Sequence, residues 1–249
     1  MPRLYLSAPI APQQLIDLPP GAARHVQVLR LQPGDEVTLF NGAGGEWSAR
    51  VVRMGKSAVT VQALAHAAIE REATRAVHLM AGWMAAERID WLIEKAVELG
   101  AASVTPLVTA RTQQRLAGER TDKKRAHWQA IAASASEQCG RNRLMAVRPP
   151  LPWDAALQPS EGGAEESPGA GVSARWLLSL DVAAAPLRHA IAASPPGAPV
   201  TLLSGPEGGL TPEEESAARS AGWQPVTLGA RVLRAETAPL AALAVLTGF

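Results

Sequence analysis

Two glycine-bearing loops near the C-terminal end constrain this chain more than any other feature. The first is Ser204-Gly205-Pro206-Glu207-Gly208-Gly209-Leu210. The second, about twenty residues on, is Leu228-Gly229-Ala230-Arg231-Val232-Leu233-Arg234-Ala235-Glu236-Thr237. An apolar run, Val200 to Leu203, precedes the first loop, and a helix start follows it. Thr211 can cap that helix, Pro212 suits its first position, and Glu214 closes a capping box. The spacing predicts strand, loop, helix, strand (Gln224 to Leu228), loop, then helix from Thr237. Glycine loops at the same end of neighbouring strands let backbone press against a flat ligand.

A glycine loop leading into a helix usually points to phosphate, because free N–H groups and the helix dipole attract anions. Here that reading is poor. Gly-x-x-Gly-Gly is neither a dinucleotide fingerprint nor a P-loop. Pro206 removes one donor. Glu207, Glu213, Glu214 and Glu215 crowd the place a phosphate would take, and would repel it. A ligand without phosphate and with a positive centre is tolerated, and S-adenosylmethionine, with adenine, ribose and sulfonium, fits. For Glu213 to Glu215 a second reading stands beside this one: charges that only stabilise a helix N-terminus. Glu207, inside the loop, is harder to explain that way.

The pair Gly-Pro-Glu-Gly-Gly and Leu-Gly-x-Arg-x-Leu-Arg-x-Glu-Thr-Ala resembles the bacterial 16S rRNA uracil-N3 methyltransferases of the SPOUT class. The resemblance implies an α/β domain with a mostly parallel sheet and a C-terminal trefoil knot, preceded by a small PUA-like β-barrel. It implies S-adenosylmethionine as cofactor, 16S rRNA in the small ribosomal subunit as partner, and a homodimer in which the partner subunit finishes each site. General topology alone would argue against a knot. Mapped onto this chain, cofactor contacts fall on Leu203, Ser204, Gly205, Pro206, Glu207, Gly208, Gly209, Leu228, Gly229, Leu233, Arg234 and Thr237.

The rest of the chain agrees with that division. Residues 1–70 read as a β-rich domain: Glu36 to Phe40 alternates, Asn41 to Gly45 turns, Glu46 to Met54 returns, and Ala58 to Leu64 follows a second turn. Gly42, Gly44 and Gly45 read as hairpin geometry. An Ala-rich, then charged, linker leads to residues 74–249, where strand and helix alternate and predict a mainly parallel sheet. Val77 to Trp83 and Ala101 to Val108 are strands. Ile89, Leu92, Ile93, Ala96 and Leu99 form one helix face that Gly100 ends, and Trp128, Ile131, Ala132 and Ala135 form another. Residues 159–174 are low-complexity and read as a flexible surface loop.

Charge is uneven along the chain. From Arg111 to Arg148 there are nine Lys or Arg against three acids; from Gln158 to Gly222, three against eight. A net charge of +1 therefore hides a basic region suited to RNA, although a solvated helix face explains Lys123 to Arg125 as well. Three further stretches match the family: His25 to Leu31, Asp90 to Gly100, and Glu137 to Arg141. They give His25, Arg30, Lys95, Arg111, Gln138 and Arg141 as candidate RNA contacts, with Arg231 from the second loop. Without the family, His25 reads as a surface residue and Arg30 as a barrel-edge charge. The family's Lys-Gly stands here as Ala85-Ala86, and its Glu-Arg as Ala110-Arg111. These losses can compensate each other.

For the chemistry, N3 of uridine must lose a proton before it attacks a methyl group. Arg231 or Arg234 can face the developing charge, and Glu236 is the nearest carboxylate to take the proton. Arg234 and Glu236 are the catalytic candidates; a structural Arg234–Glu236 ion pair is the other reading. One cysteine and five scattered histidines exclude an internal disulfide and show no metal-ligand spacing. With 47% hydrophobic residues, no apolar run of about eighteen, and no signal peptide, a cytoplasmic protein is expected. Two alternatives stay open: a related methyltransferase acting on another RNA or on a ribose 2′-oxygen, and a non-catalytic RNA-binding assembly protein.

Overall fold

The alternation that begins at Glu36 builds the first sheet. The computed structural model describes residues 1–56, 58–112, 118–158 and 173–248, so residues 159–172 of the low-complexity stretch lie outside it. In chain order come β1 (Arg3–Tyr5), β2 (Leu15–Asp17), α1 (Pro20–Val28), β3 (Glu36–Phe40), β4 (Glu46–Met54) and β5 (Val59–Ala67). The sheet order is β1-β3-β4-β5-β2. Only β1 and β3 run parallel; the other described pairs are antiparallel. Apolar side chains two apart, Val37 and Leu39 or Val59, Val61 and Ala63, face a single core with Leu4 and Val51. Gly42, Gly44 and Gly45 all take positive φ in the hairpin turn, as expected.

Helix α1 was not legible. Only Ala23 and Val26 of its nine residues are buried, too few to show a period. Its end is unusual. The amides of Arg30 and Leu31 bond back to the carbonyls of Gln27 and Val26, a helix ending that normally places glycine in the left-handed region. Arg30 stands there instead, with φ 57°. Arg30→Gly should therefore stabilise this unit by about 0.5–1 kcal/mol. A urea titration in which the variant unfolds at lower denaturant would contradict that.

The chain divides into two units, the first comprising residues 1–72 with 133–144, the second residues 73–132 with the chain from 145 onward. The 133–144 segment is fastened within the first unit by polar contacts. Glu137 Oε1 accepts the Tyr5 amide at 2.8 Å. Asn142, wholly buried, donates to Glu46 Oε2 at 3.1 Å and to the Ile69 carbonyl at 2.6 Å.

The second unit contains β6 (Val77–Gly82), α2 (Ala86–Glu98), β7 (Ser103–Val108), α3 (Gly118–Cys139, whose last residues belong to the first unit), β8 (Ala146–Val147), β9 (Leu151–Pro152) and α4 (Trp153–Leu157). It continues with β10 (Ala174–Leu178), β11 (Ala185–Pro186), α5 (Leu187–Ala193), β12 (Val200–Ser204), α6 (Pro212–Ser220), β13 (Gln224–Thr227) and α7 (Thr237–Thr247). Its strands follow the order β11-β13-β10-β12-β6-β7-β8, with β9 beside β7, and every described pair is parallel. Ile89, Leu92, Ile93 and Ala96 of α2 are buried, as their spacing predicts. Asp90 accepts the Trp128 indole N–H at 3.1 Å and contacts His127 Nε2 at 2.9 Å, tying α2 to α3. After β13 the chain doubles back, and the largely apolar α7 packs on α2, β6 and β12.

Candidate functional site

The two glycine loops do open on one site, but not from neighbouring strands. β10 lies between β12 and β13, so the cleft is walled by the carboxyl ends of three strands. Its volume is about 640 Å³, within the ~300–1,000 Å³ usual for small-molecule sites. Ser204 to Gly209 form one wall, Leu228, Gly229 and Arg231 to Ala235 another, and Leu178, Ser179 and Leu180 the floor between them. This is where open parallel sheets bind ligands.

The first loop is held from several sides. Gly82, the last residue of β6, lies under the Gly205–Pro206 peptide; a Cβ there would stand 2.2 Å from the Pro206 nitrogen. Glu207 Oε1 accepts the Ala85 amide at 2.8 Å, capping a helix whose own N-cap residue has no side-chain bond. Glu214 Oε1 accepts the Ala110 amide at 2.7 Å, and its Oε2 accepts the Thr211 amide at 2.8 Å in the predicted capping box. Arg111 donates to the carbonyl of Gly208 at 2.5 Å and of Leu210 at 3.3 Å. Ala85 thus engages this loop, and Ala110 the helix that follows it, through their main-chain N–H groups.

These ties redistribute the four acids. Glu207 and Glu215 line the cleft; Glu214 is buried in its capping role. Glu213 is exposed, and its own amide, the Thr211 side chain and Arg111 hold its carboxyl below the usual range, against a small opposing effect of burial. Glu215 Oε2 accepts the Ser179 hydroxyl at 3.1 Å and lies 3.7 Å from Arg219. Ser204 is 4% exposed and its Oγ has no partner among the described residues. A buried hydroxyl awaiting a bond, bare α-carbons and two wall carboxylates suit a flat ligand with hydrogen-bonding groups and positive charge. They fit an adenosyl sulfonium.

Three of the expected site residues stand off the wall. Leu203 is wholly buried in the core with Leu107 and Leu177. Thr237 begins α7 and does not line the cleft. Glu236 is 8% exposed, lies behind the wall, and makes its ion pair with Arg88 rather than Arg234. Arg234 does line the cleft, as does Arg231.

The RNA candidates separate more sharply. His25, Arg30 and Gln138 are exposed. Arg141 is 5% exposed and forked onto Glu72, so its charge is matched inside the first unit. Arg111 is clasped by the loop carbonyls described above. Lys95 is held by Glu94 at 2.7 Å and Glu98 at 2.8 Å, which raise its ammonium pKa in that order of effect. Sequence reasoning missed Arg88 and the Leu178 to Leu180 floor. The rule that ligands sit beyond the ends of parallel strands could have found the floor, had the strand order been known.

Comparison with known proteins finds two family matches along the chain. Residues 71–247 match the family described as the RNA methyltransferase domain, and residues 18–64 the RNA methyltransferase PUA domain. A Synechocystis protein named ribosomal RNA small subunit methyltransferase E is 33% identical over 241 residues, covering 94% of this chain and 75% of that protein. Its Bacillus subtilis namesake is 29% identical, covering 89% and 85%. The crystal structure of ribosomal RNA small subunit methyltransferase E from Neisseria gonorrhoeae bound to S-adenosyl methionine superposes with a TM-score of 0.84 at 34% identity, covering 98% and 96%. A Legionella pneumophila methyltransferase in complex with the same cofactor gives 0.87, also at 34% and with the same coverage. The fold expected from the sequence, a PUA-like β domain followed by a SPOUT-type knotted domain, is the fold of this chain.

Proposed function

Because the chain belongs to the SPOUT-class family of small-subunit ribosomal RNA methyltransferases, we propose that it methylates N3 of a uridine in 16S rRNA, using S-adenosylmethionine. The observation that carries this reading is the cleft at the ends of β10, β12 and β13, with its unpartnered Ser204 hydroxyl and its glycine walls. Gly205, Gly208, Gly209 and Gly229 allow close approach, and Ser204 and Glu215 offer polar partners. The bound cofactor supplies an electrophilic methyl group on sulfur; uridine gives up its N3 proton and takes that methyl, leaving a thioether.

The protein's own task is to hold the base, exclude water and meet the negative charge that uracil gains as its proton leaves. Residues 74–249 carry that chemistry. Residues 1–70 serve as the RNA-binding domain, with His25 and Arg30 toward the RNA, joined by Gln138 from the first unit and Arg231 at the cleft. The target base must be unpaired or extruded to reach such a cleft. A homodimer working in the cytoplasm belongs to the same proposal. No helix of the described residues is long and apolar enough to cross a membrane.

Small subunits from a strain lacking the corresponding gene, incubated with the protein and S-adenosylmethionine, should gain one 3-methyluridine, found by nucleoside mass spectrometry. A 2′-O-methylated nucleoside would move the chain to another reaction. Tight subunit binding without methyl transfer would make it an assembly factor. A fully active monomer in sedimentation would remove the dimer.

A further inference from the structure

We infer that Arg88, a residue of α2 outside both loops, is a catalytic residue of this cleft, and that Glu236 acts through it as a positioning residue. The inference rests on the reaction proposed above and assigns its charge-stabilising group. Arg88 lines the cleft, with its side chain 41% exposed. Its Nη1 lies 3.9 Å from Glu207 Oε1 and 3.9 Å from Glu236 Oε2. Those two acids belong to the two loops, so the guanidinium is suspended between both walls.

Both contacts are too long to be hydrogen bonds. Glu207 Oε1 is already engaged by the Ala85 amide. Glu236 Oε2 is buried without a hydrogen-bond donor among the described residues. The guanidinium is therefore oriented by charge while its N–H groups stay available to a ligand. Uracil that has lost its N3 proton carries negative charge on the two flanking carbonyl oxygens, and a guanidinium N–H can donate to one of them while N3 stays open to the methyl group. Arg231 and Arg234 also line the cleft, but among the described residues neither has an ion-pair partner to hold it. A donor fixed in advance stabilises developing charge better than one that must be ordered during the reaction.

Glu236 then does not take the proton. It stands behind Arg88, off the cleft wall, and aims it. The N3 proton leaves first, to solvent water; the N3–carbon bond then forms as the sulfur–carbon bond breaks.

The test compares Arg88→Met, Arg88→Lys, Glu236→Gln and the Arg88→Met/Glu236→Gln double variant. Cofactor affinity is measured by calorimetry, and single-turnover methylation on the undermethylated small subunits. Arg88→Met should lose about a hundredfold in rate with cofactor affinity within about threefold. Arg88→Lys should recover part of that loss. Glu236→Gln should lose about tenfold alone and almost nothing in the Arg88→Met background, as residues acting as one unit do. A clamp that only shapes the cofactor loop would instead weaken cofactor binding in every variant. That result, an Arg88→Met rate within threefold of the wild type, or additive losses in the double variant, overturns the inference. A wild-type protein that binds cofactor but transfers no methyl group overturns the functional reading, and this one with it.

Discussion

Gly82→Ala should weaken S-adenosylmethionine binding by about ten- to a hundredfold while leaving the protein folded. The cause is one strand away from the ligand. β6 pairs with β12 so that Ala81 faces Ser204, which places Gly82 beneath the start of the first glycine loop. An added Cβ would lie 2.2 Å from Pro206 N, 2.5 Å from Pro206 Cδ and 2.6 Å from the Gly205 carbonyl carbon. None of these atoms is the end of a flexible side chain, so the loop itself must move. The strand below is fixed by ladder bonds on both edges, since β6 lies between β12 and β7. The displacement therefore goes into the cleft wall that carries Ser204 and Glu207. Gly208→Ala is the internal comparison: its Cβ would meet Arg111 Cδ at 3.2 Å, which can swing away, and Arg111 Cβ at 3.3 Å, which need give by only a few tenths of an ångström. It should cost only a few-fold. Titration of both folded variants decides the matter, and equal affinities for Gly82→Ala and wild type would show that the loop is not seated as described.

That prediction also marks how far the sequence could be read. The glycine loops, the capping box at Thr211 and Glu214, and the apolar stripe of α2 were legible because each is local: a turn, a cap or a helical period needs no distant partner. What lay beyond reach was who stands next to whom. Gly82 and Arg88 are more than a hundred positions from the loops they serve, and no turn, cap or helical period singles them out. The insertion of β10 between β12 and β13 is a matter of sheet order, which alternation of strand and helix leaves open. Charge is hard to read for the same reason. Arg111 and Arg141 stand in a basic stretch, yet one bonds to loop carbonyls and the other to Glu72, and pairing of that kind leaves no trace in composition. His25, Arg30 and Gln138 are exposed, and no described side chain pairs with theirs.

Glu46→Gln should destabilise the first unit by about 3 kcal/mol at neutral pH, more than any single cap or surface pair. One oxygen of Glu46 receives three donors: Arg3 Nη1 at 2.7 Å, Arg71 Nη1 at 2.9 Å and Asn142 Nδ2 at 3.1 Å. They come from β1, from the stretch after β5 and from the returning 133–144 segment, so a single carboxylate joins parts of the chain that meet nowhere in sequence. Arg71 above all, with Arg3 and Asn142, outweighs partial burial and holds the Glu46 carboxyl at about 2, well below its ordinary 4.5. Arg71 is correspondingly raised, chiefly by the same bond. The sign follows directly. A depressed carboxyl stabilises the folded state fully above the unfolded value near 4.5, and that stabilisation drains away as pH falls toward 2. Urea unfolding followed by tryptophan fluorescence should therefore show a large gap between wild type and Glu46→Gln at pH 7, shrinking by roughly half or more at pH 3. Because Arg3 is also largely buried, with 13% of its side chain exposed, the neutral variant leaves a cation without its counter-charge and gains nothing in exchange. A gap that stayed constant from pH 7 to pH 3 would mean that Glu46 contributes shape rather than charge, leaving residues 133–144 held by the bonds of Glu137 to Tyr5, Arg141 to Glu72 and Asn142 to Ile69.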